Sequence, residues 1–214
     1  MPTVKARISI SLDGYMAGPN QSEANPLGEG GEALHEWAFR QAAFKEMHDL
    51  GEGGERGVSD EIVRASLANL GAVVMGRNMF GPIRGDWPDE EWKGWWGDDP
   101  PFHCPVYVLT HHPREAFELE NGNSFHFVTD GIEAAMAEAK EAADDQDVTV
   151  GGGASTLQQA IAAGLLEEIL VTQVPVLLGA GERLFDHLAA GAADFGLVDV
   201  VEDAELLHLT YRVG

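Results

Sequence analysis

Residues 148–156, VTVGGGAST, decide the fold that the sequence predicts. The apolar run at 148–150 is typical of a buried strand, three glycines follow it, and a helix is expected to begin at Ser155. Glycine lets the backbone approach a ligand closely, and a helix N-terminus offers free N–H groups with a partial positive charge, which suit a pyrophosphate. A tight strand-to-helix turn without a ligand would give the same pattern. The residues of this candidate anion site are Gly151, Gly152, Gly153, Ala154, Ser155 and Thr156.

The elements on both sides of this stretch alternate between strand and helix. Apolar runs predict strands at residues 4–10, 72–75, 105–109, 124–128 and 168–174. Helical spacing predicts helices at residues 33–47 and 155–163, one that Ser59 caps and Gly71 ends, and one that Asp130 caps. Residues 196–201 and 206–213 are expected to pair as antiparallel strands. This order predicts a central, mostly parallel mixed sheet with helices on both faces, formed by residues 1–214 as a single domain.

Two more predicted strands end in groups that suit phosphate. Residues 72–82, AVVMGRNMFGP, present Gly76 and Arg77, and residues 105–115, PVYVLTHHPRE, present Thr110, His111 and Arg114. Ligands of open α/β sheets bind at the carboxyl ends of the strands, and a guanidinium fork matches a phosphate. Each arginine taken alone is equally compatible with a surface residue that caps a turn. Three such strand ends together favour a dinucleotide.

Composition and charge exclude several classes of function. The 36 acidic and 13 basic residues give a formal net charge of −23, which disfavours binding to nucleic acid or anionic lipid. Cys104 is the only cysteine, and we see neither a leader pattern nor an apolar run of the ~18 residues that span a bilayer. We therefore expect a cytoplasmic protein. We predict no metal site, because the adjacent His111 and His112 point apart on an extended segment.

With these motifs in place, the chain resembles the dihydrofolate-reductase-like superfamily. The segments ISISLDGYMAG, VVMGR, VLTHHP, VTVGGGAST and PVLLGAGERLF occur in the order of that superfamily, and they span residues 4–213. The closest resemblance is to the C-terminal reductase domain of bacterial bifunctional riboflavin-biosynthesis deaminase-reductases and its stand-alone relatives. It implies a dihydrofolate-reductase-like fold and NADPH as the cofactor.

The resemblance also implies roles for the candidate residues. Gly76 and Arg77 would contact the adenosine phosphate side of NADPH, and Thr110 and His111, with Arg114, would hold the 2′-phosphate. The triple glycine and the helix start would cradle the pyrophosphate, while the loop at 13–20 would cover the nicotinamide.

The catalytic residues are less determined by the sequence. Asp13 either orients the substrate or nicotinamide, or stabilises the turn before Gly14, as Asp-Gly pairs commonly do. Glu36 is a candidate proton donor, and water is the alternative. We expect hydride transfer to a small heterocycle similar to 5-amino-6-(5-phosphoribosylamino)uracil. The alternatives are another carbonyl or imine substrate, or a nucleotide-binding module with little catalysis.

Two features bear on assembly. The insertion at 80–102 carries Trp87, Trp92, Trp95 and Trp96, which suit a lid over a flat ligand, a loop anchor or a dimer contact. Residues 206–213 alternate so that one side is strongly apolar, and together with the habits of the relatives this predicts a homodimer.

Overall fold

The computed structural model describes residues 2–81 and 85–214, and residues 82–84 of the tryptophan-rich insertion lie outside that description. The chain forms a large mixed sheet of nine strands and a separate two-stranded ribbon. In chain order the strands β1 to β11 are Val4–Ser11, Tyr15–Ala17, Leu70–Gly76, Pro105–Leu109, Phe117–Glu118, Ser124–Val128, Asp147–Gly152, Glu168–Val174, Glu182–Arg183, Phe195–Asp203 and Leu206–Val213. The helices α1 to α6 are Glu36–Phe39, Ala42–Met47, Val58–Arg64, Arg77–Phe80, Ile132–Ala143 and Ala154–Ala162, with a 3₁₀ turn at Gly31–Leu34.

The sheet runs in the order β10-β11-β8-β1-β7-β3-β4-β6-β5. Strands β8, β1, β7, β3, β4 and β6 are mutually parallel, whereas β5, β10 and β11 are antiparallel to their neighbours. The predicted mostly parallel sheet with an antiparallel C-terminal pair is therefore confirmed. Because β7, β3 and β4 are adjacent, their carboxyl ends lie side by side at one edge of the sheet.

Both faces of the sheet are covered, as the buried apolar runs require. Alternate residues of β3 point to opposite sides: Val74 joins the core beneath α5 and α6, while Val73 and Met75 join a second core. That second core contains Phe80 and the aromatic side chains of the insertion. A third cluster, around Leu34 and Trp37, packs helices α1 and α3 against the ends of β8 and β11.

The prediction of one helix at residues 33–47 was wrong. The segment is a 3₁₀ turn followed by α1 and α2, and the break falls at Gln41, whose backbone is extended (φ −71°, ψ 146°). There the chain forms a β-bridge with Glu55: Ala42 N–H donates to Glu55 O, and Glu55 N–H donates to Arg40 O. A tertiary backbone pairing has overridden the helical pattern.

Three predicted caps were also misplaced. Gly57, not Ser59, is the N-cap of α3, and Ser59 lies inside the helix. Gly71 belongs to β3 instead of ending α3, and Gly131 rather than Asp130 precedes α5.

Strand β10 forms the outer edge of the sheet and exposes apolar side chains. Leu197, Val198 and Val200 are each more than half exposed, and Phe195 is 39% exposed. Phe195 also meets the exposed Phe185 edge to face at 5.6 Å. An edge strand of this kind offers both unpaired backbone groups and apolar surface to another chain.

Beneath α3, a buried histidine links three elements. His208 of β11 is 1% exposed; its Nε2 lies 3.1 Å from Ser59 Oγ and its Nδ1 lies 2.9 Å from Thr172 Oγ1. Trp37 meets the ring edge to face and donates its indole N–H to Ser9 Oγ at 3.0 Å. Burial lowers the pKa of His208 from its ordinary value, and the smaller effect of Asp203 opposes that shift. Ser59, which the sequence predicted as a helix cap, instead belongs to this buried polar network.

We expect the stability of the protein to fall as the pH drops below about 6.5, the ordinary pKa of an unfolded histidine. The imidazole of His208 binds a proton less readily in the native state than in the unfolded state. Its contribution to the free energy of unfolding is therefore complete above that pH and is lost progressively as the pH falls below it. The variant His208→Gln should be less stable by about 1–3 kcal/mol at pH 8, because it leaves buried partners unsatisfied. The free energy of unfolding of this variant should also change less steeply with pH between pH 7 and pH 5.5 than that of the parent.

The measurement is urea unfolding at a series of pH values, with His111→Gln as a control that removes an exposed histidine. A His208→Gln slope identical to that of the parent would contradict the assignment.

Candidate functional site

The three strand ends singled out in the sequence meet at one edge of the sheet. In the register of the parallel pairs, Met75 of β3 lies opposite Gly152 of β7, and Gly76 lies opposite Leu109 of β4. The glycine turn, the Gly76–Arg77 pair and the segment that begins at Thr110 are therefore neighbours. The sequence motifs converge on a single place because the sheet order places their strands side by side.

Gly76 brings β3 into direct contact with the start of α6. A β-carbon at this position would lie less than 3.0 Å from Thr156 Oγ1 and 3.4 Å from the amide nitrogen of Gly153. No real β-carbon tolerates the shorter of these distances, so only glycine fits without a shift of one element. Thr156 is itself 4% exposed, and its side chain fills the space that Gly76 leaves.

The glycine turn combines a close approach with an open side. Gly152 has φ +119°, which disfavours any side chain, and a β-carbon on Gly151 would lie 2.9 Å from the methyl group of Met79. A β-carbon on Gly153, in contrast, would meet nothing within 4 Å. Helix α6 then begins at Ala154 without a side-chain cap, and Ser155 in its first turn is exposed. Backbone N–H groups at this end are therefore available to an anion.

Two arginines follow the neighbouring strands β3 and β4, and part of each guanidinium group has no acceptor among the described residues. Arg77 Nε and Nη1 and Arg114 Nη1 are buried and have no hydrogen-bond partner among the described residues. Burial, together with a smaller effect of the nearby charge of Arg114, lowers the pKa of Arg77 to about 10. Burial likewise lowers the pKa of Arg114, against smaller opposing effects from Glu90 and Asp89. Buried cations that lack acceptors and repel each other form a site to which an anion would add stability.

Aromatic rings surround the two arginines. The guanidinium carbon of Arg77 lies 3.1 Å from the ring centroid of Trp87. That of Arg114 lies 5.0 Å from Trp87 and from Phe127, and 5.2 Å from Phe117. These are cation–π distances in a poorly hydrated setting, so the rings help to keep both charges in place.

Thr110 and the histidines after it shape the turn at the end of β4. The hydroxyl of Thr110 accepts the N–H of His112 at 3.1 Å, and His112 Nδ1 lies 3.1 Å from Asp86 Oδ1. The carbonyl of His112 accepts the indole N–H of Trp87 at 2.9 Å. His111 is exposed. The hydroxyl of Thr110 thus takes part in the turn, and binding of the 2′-phosphate by Thr110 and His111 stays a prediction.

Asp13 joins two loops next to the site. Its carboxylate accepts hydrogen bonds from Ser11 Oγ at 2.6 Å, Leu178 N at 3.2 Å and Gly179 N at 2.8 Å. These bonds, led by the one from Ser11, lower the pKa of Asp13 to about 2. The group is a carboxylate at neutral pH. It holds the segment at 178–179 against the turn after β1, in agreement with a role in the turn, while orientation of the substrate or nicotinamide stays a prediction.

Glu36 lies apart from this network. It is the first residue of α1, and its side chain is exposed. Its neighbour His35 stacks on Phe39 with the ring centroids 6.1 Å apart, and burial lowers the pKa of His35 to about 4. His35 is therefore neutral at pH 7. The sequence did not single out Trp87 as a neighbour of the arginines, although its place in a tryptophan-rich insertion was a signal.

The donor set fits an anionic dinucleotide. The glycine turn, the uncapped helix start and the two arginines all belong to the ends of the adjacent strands β7, β3 and β4, and the buried N–H groups of the arginines lack acceptors among the described residues. Within the described part of the chain, no group of three or more His, Cys, Asp or Glu residues could hold a metal ion. No helix among the described residues has both the length and the apolar character to cross a bilayer.

Comparison with known proteins agrees with this geometry. The model of the RibD C-terminal domain family matches residues 2–209. A riboflavin biosynthesis protein from Shewanella sp. PV-4 is 21% identical over 99% of both chains, with a TM-score of 0.60. Dihydrofolate reductase from Enterococcus faecalis, complexed with NADP(H), is 14% identical, with 99% of this chain and 96% of that chain covered and a TM-score of 0.51.

A third structure belongs to a longer protein. The diaminohydroxyphosphoribosylaminopyrimidine deaminase/5-amino-6-(5-phosphoribosylamino)uracil reductase from Thermotoga maritima is 14% identical, with a TM-score of 0.54. The match covers 99% of this chain and 56% of that one. No curated protein matches the chain. The family match and these structures establish the dihydrofolate-reductase-like fold.

We expect Gly76→Ala to destabilise the protein by about 1–3 kcal/mol, because the new methyl group overpacks the contact with Thr156. Thr156→Ala should recover part of that loss in the double variant, since it removes the atom that clashes. Gly153→Ala is the matched control, because its β-carbon points into open space.

Chemical unfolding of the four proteins measures the coupling between Gly76 and Thr156. Strictly additive effects of the two substitutions would show that the contact is not the source of the strain.

Proposed function

Since this chain belongs to the RibD C-terminal domain family, we propose that it is an NADPH-dependent oxidoreductase that transfers a hydride to a small heterocyclic substrate. The observation that carries the proposal is the pair Arg77 and Arg114, which follow adjacent strands and whose buried N–H groups lack acceptors among the described residues. The oxygens of a 2′-phosphate would supply those acceptors, and NADH has no 2′-phosphate. The NADP(H) complex of the Enterococcus relative supports the same choice.

The protein would hold the cofactor at two points. Arg77 and Arg114 would bind the 2′-phosphate, and the turn at 151–153 with the first N–H groups of α6 would bind the pyrophosphate. Gly76 keeps these two points together, because it allows β3 to approach α6. The cofactor, when bound, supplies the hydride, and the chain's residues fix its orientation and exclude water.

The residues near the substrate end have different tasks. Asp13 stays ionised at neutral pH, so we assign it to ordering the loops on either side of the nicotinamide position and not to delivering a proton. A proton would reach the substrate through water or from Glu36, whose exposed carboxylate adjoins the His35 stack.

The substrate class follows from the relatives. The Thermotoga protein carries the name of a 5-amino-6-(5-phosphoribosylamino)uracil reductase, and the Shewanella protein that of a riboflavin biosynthesis protein. We therefore favour a pyrimidine-like or pterin-like substrate in riboflavin biosynthesis. The net charge of −23 supports a small molecule over nucleic acid or membrane lipid as the partner. We place the enzyme in the cytoplasm on the sequence features alone.

We further propose that two copies associate through β10. The edge strand exposes Leu197, Val198 and Val200, and a two-fold partner would cover the same strand on each copy.

We expect NADPH to bind more tightly than NADH. Arg77→Met should weaken NADPH by roughly tenfold to a hundredfold, the worth of a hydrogen bond to a charged group of ~1.5–3 kcal/mol, while NADH changes little. Arg56→Met is the matched control, because Arg56 is an exposed arginine paired with Glu46. Fluorescence titration measures the dissociation constants.

Equal affinity of the parent for the two cofactors would contradict the cofactor assignment. NADPH binding without oxidation in the presence of any heterocyclic, carbonyl or imine substrate would favour a nucleotide-binding module instead.

For the dimer, we expect light scattering to report two copies at micromolar concentration. Leu197→Lys combined with Val200→Lys should give a monomer, because charges on an edge strand oppose pairing. Leu50→Lys serves as the control, since Leu50 is 62% exposed at a distant site. A monomeric parent would refute the proposal.

A further inference from the structure

We propose that Trp87, together with the acidic segment at 86–91, occupies the anion site as an internal competitor and must move aside when a phosphate binds. The inference rests on the proposed function, because it concerns the same two arginines.

Trp87 restricts access to the guanidinium of Arg77. Nε and Nη1 of Arg77 are buried, and the ring centroid of Trp87 lies 3.1 Å from the central carbon of the guanidinium. A phosphate oxygen must come within about 2.7–2.9 Å of these nitrogens to form a charge-assisted hydrogen bond. Such an approach requires the indole to move, so the arrangement is closed toward the anion.

The indole of Trp87 is a weaker partner for the guanidinium of Arg77 than a phosphate would be. The face of an indole attracts a guanidinium, by an amount that reaches ~2 kcal/mol when the pair is desolvated, but it gives the buried N–H groups no full acceptor. Phosphate oxygens would provide both charge and acceptors. The exchange of Trp87 for a phosphate therefore improves the bonding of Arg77. Trp87 holds the site closed without matching what the ligand offers.

Acidic residues flank Trp87 and compete with an anion for Arg114. Asp86, Asp89, Glu90 and Glu91 surround Trp87 in the sequence, and all four are exposed. Arg114 donates to the carbonyl of Glu90, and the carboxylates of Glu90 and Asp89 act on Arg114. The segment thus presents negative charge to the cation that would receive the phosphate. Its displacement would remove this competing charge along with the indole.

Few contacts anchor the segment at 85–91. Trp87 is its one side chain that is not exposed; its indole N–H bonds to the carbonyl of His112, and its ring meets Phe127 and Phe80 edge to face at 5.0 and 5.8 Å. The remaining contacts of the segment with the elements around the arginines are polar and involve exposed residues: Asp86 pairs with His112, and the carbonyl of Glu90 accepts from Arg114. A short segment with one half-buried side chain opens at low cost compared with global unfolding. These contacts are enough to keep the closed form populated.

The test uses adenosine 2′-monophosphate as the probe, with adenosine as the control that lacks the phosphate. Because the closed form lowers the apparent affinity, Trp87→Ala should bind the probe about tenfold more tightly than the parent does. Trp95→Ala is the matched control: Trp95 lies in the same insertion but meets Trp92 at 5.1 Å, away from the arginines. Asp89→Asn combined with Glu90→Gln should also tighten binding, by a smaller factor, while Trp87 remains.

Calorimetry gives the affinities, and stopped-flow tryptophan fluorescence gives the rates. In the parent the observed rate should level off at high probe concentration, where opening limits it, and in Trp87→Ala it should rise linearly. Trp87→Phe, with a smaller ring, is the fallback should the alanine variant fold poorly.

The outcomes separate the two proposals. A parent that binds the probe, with Trp87→Ala and Trp87→Phe binding equally or more weakly, would overturn the competitor role and leave the cofactor site intact. Such weakening would mean that the indole supports the ligand. Failure of both the parent and the variants to prefer the probe over adenosine would overturn the phosphate site, and the inference with it.

Discussion

The structure depends on the contact between Gly76 and Thr156. Strands β3 and β7 pair in parallel, so their ends must diverge into two helical segments, α4 and α6, within a few ångströms of each other. A side chain at Gly76 would occupy the space of Thr156 Oγ1, and one at Gly151 would meet Met79 of α4. Glycine at both positions lets the two segments begin side by side. The cradle for an anion is a consequence of this close packing.

The same contact fixes where the positive charge lies. Arg77 follows Gly76 directly, so its backbone is placed by the β3–α6 contact, and Arg114 reaches it from the segment after β4. Arg114 lies among Phe80, Phe117 and Phe127 of the second core, and Arg77 stacks on Trp87, which packs against the same core. Aromatic rings accept a cation better than aliphatic groups do, which explains how two arginines are held in a largely apolar region. A bound anion would offset the cost of the acceptors that these arginines lack among the described residues.

The sequence predicted the parts of this arrangement that depend on local pattern. The strand ends at Gly76, Thr110 and Gly151 were identified because apolar runs followed by glycine or polar residues are local signals, and the parallel sheet order then brought them together. The break at Gln41 escaped prediction, since it depends on a bridge to Glu55 fourteen residues away. The hydrogen bonds of Asp13 with the loop at 178–179 join residues that lie even farther apart in the sequence. Such contacts are tertiary and leave no periodicity in the chain.

The position of Trp87 over Arg77 could not be predicted from the sequence either, because it is also a tertiary contact. This contact bears on how an acidic protein would select an anionic ligand. A net charge of −23 opposes NADPH more than NADH at long range, yet this field is screened within about 8 Å at physiological ionic strength. A preference for the more charged cofactor would therefore have to arise from short-range groups that are shielded from water. Arg77 and Arg114 satisfy that condition, because aromatic rings lie against both of them. The burial that would make them effective also requires a cover, and in this chain an indole on an acidic segment lies over Arg77. Selectivity for the 2′-phosphate and restricted access to it would thus have the same physical origin.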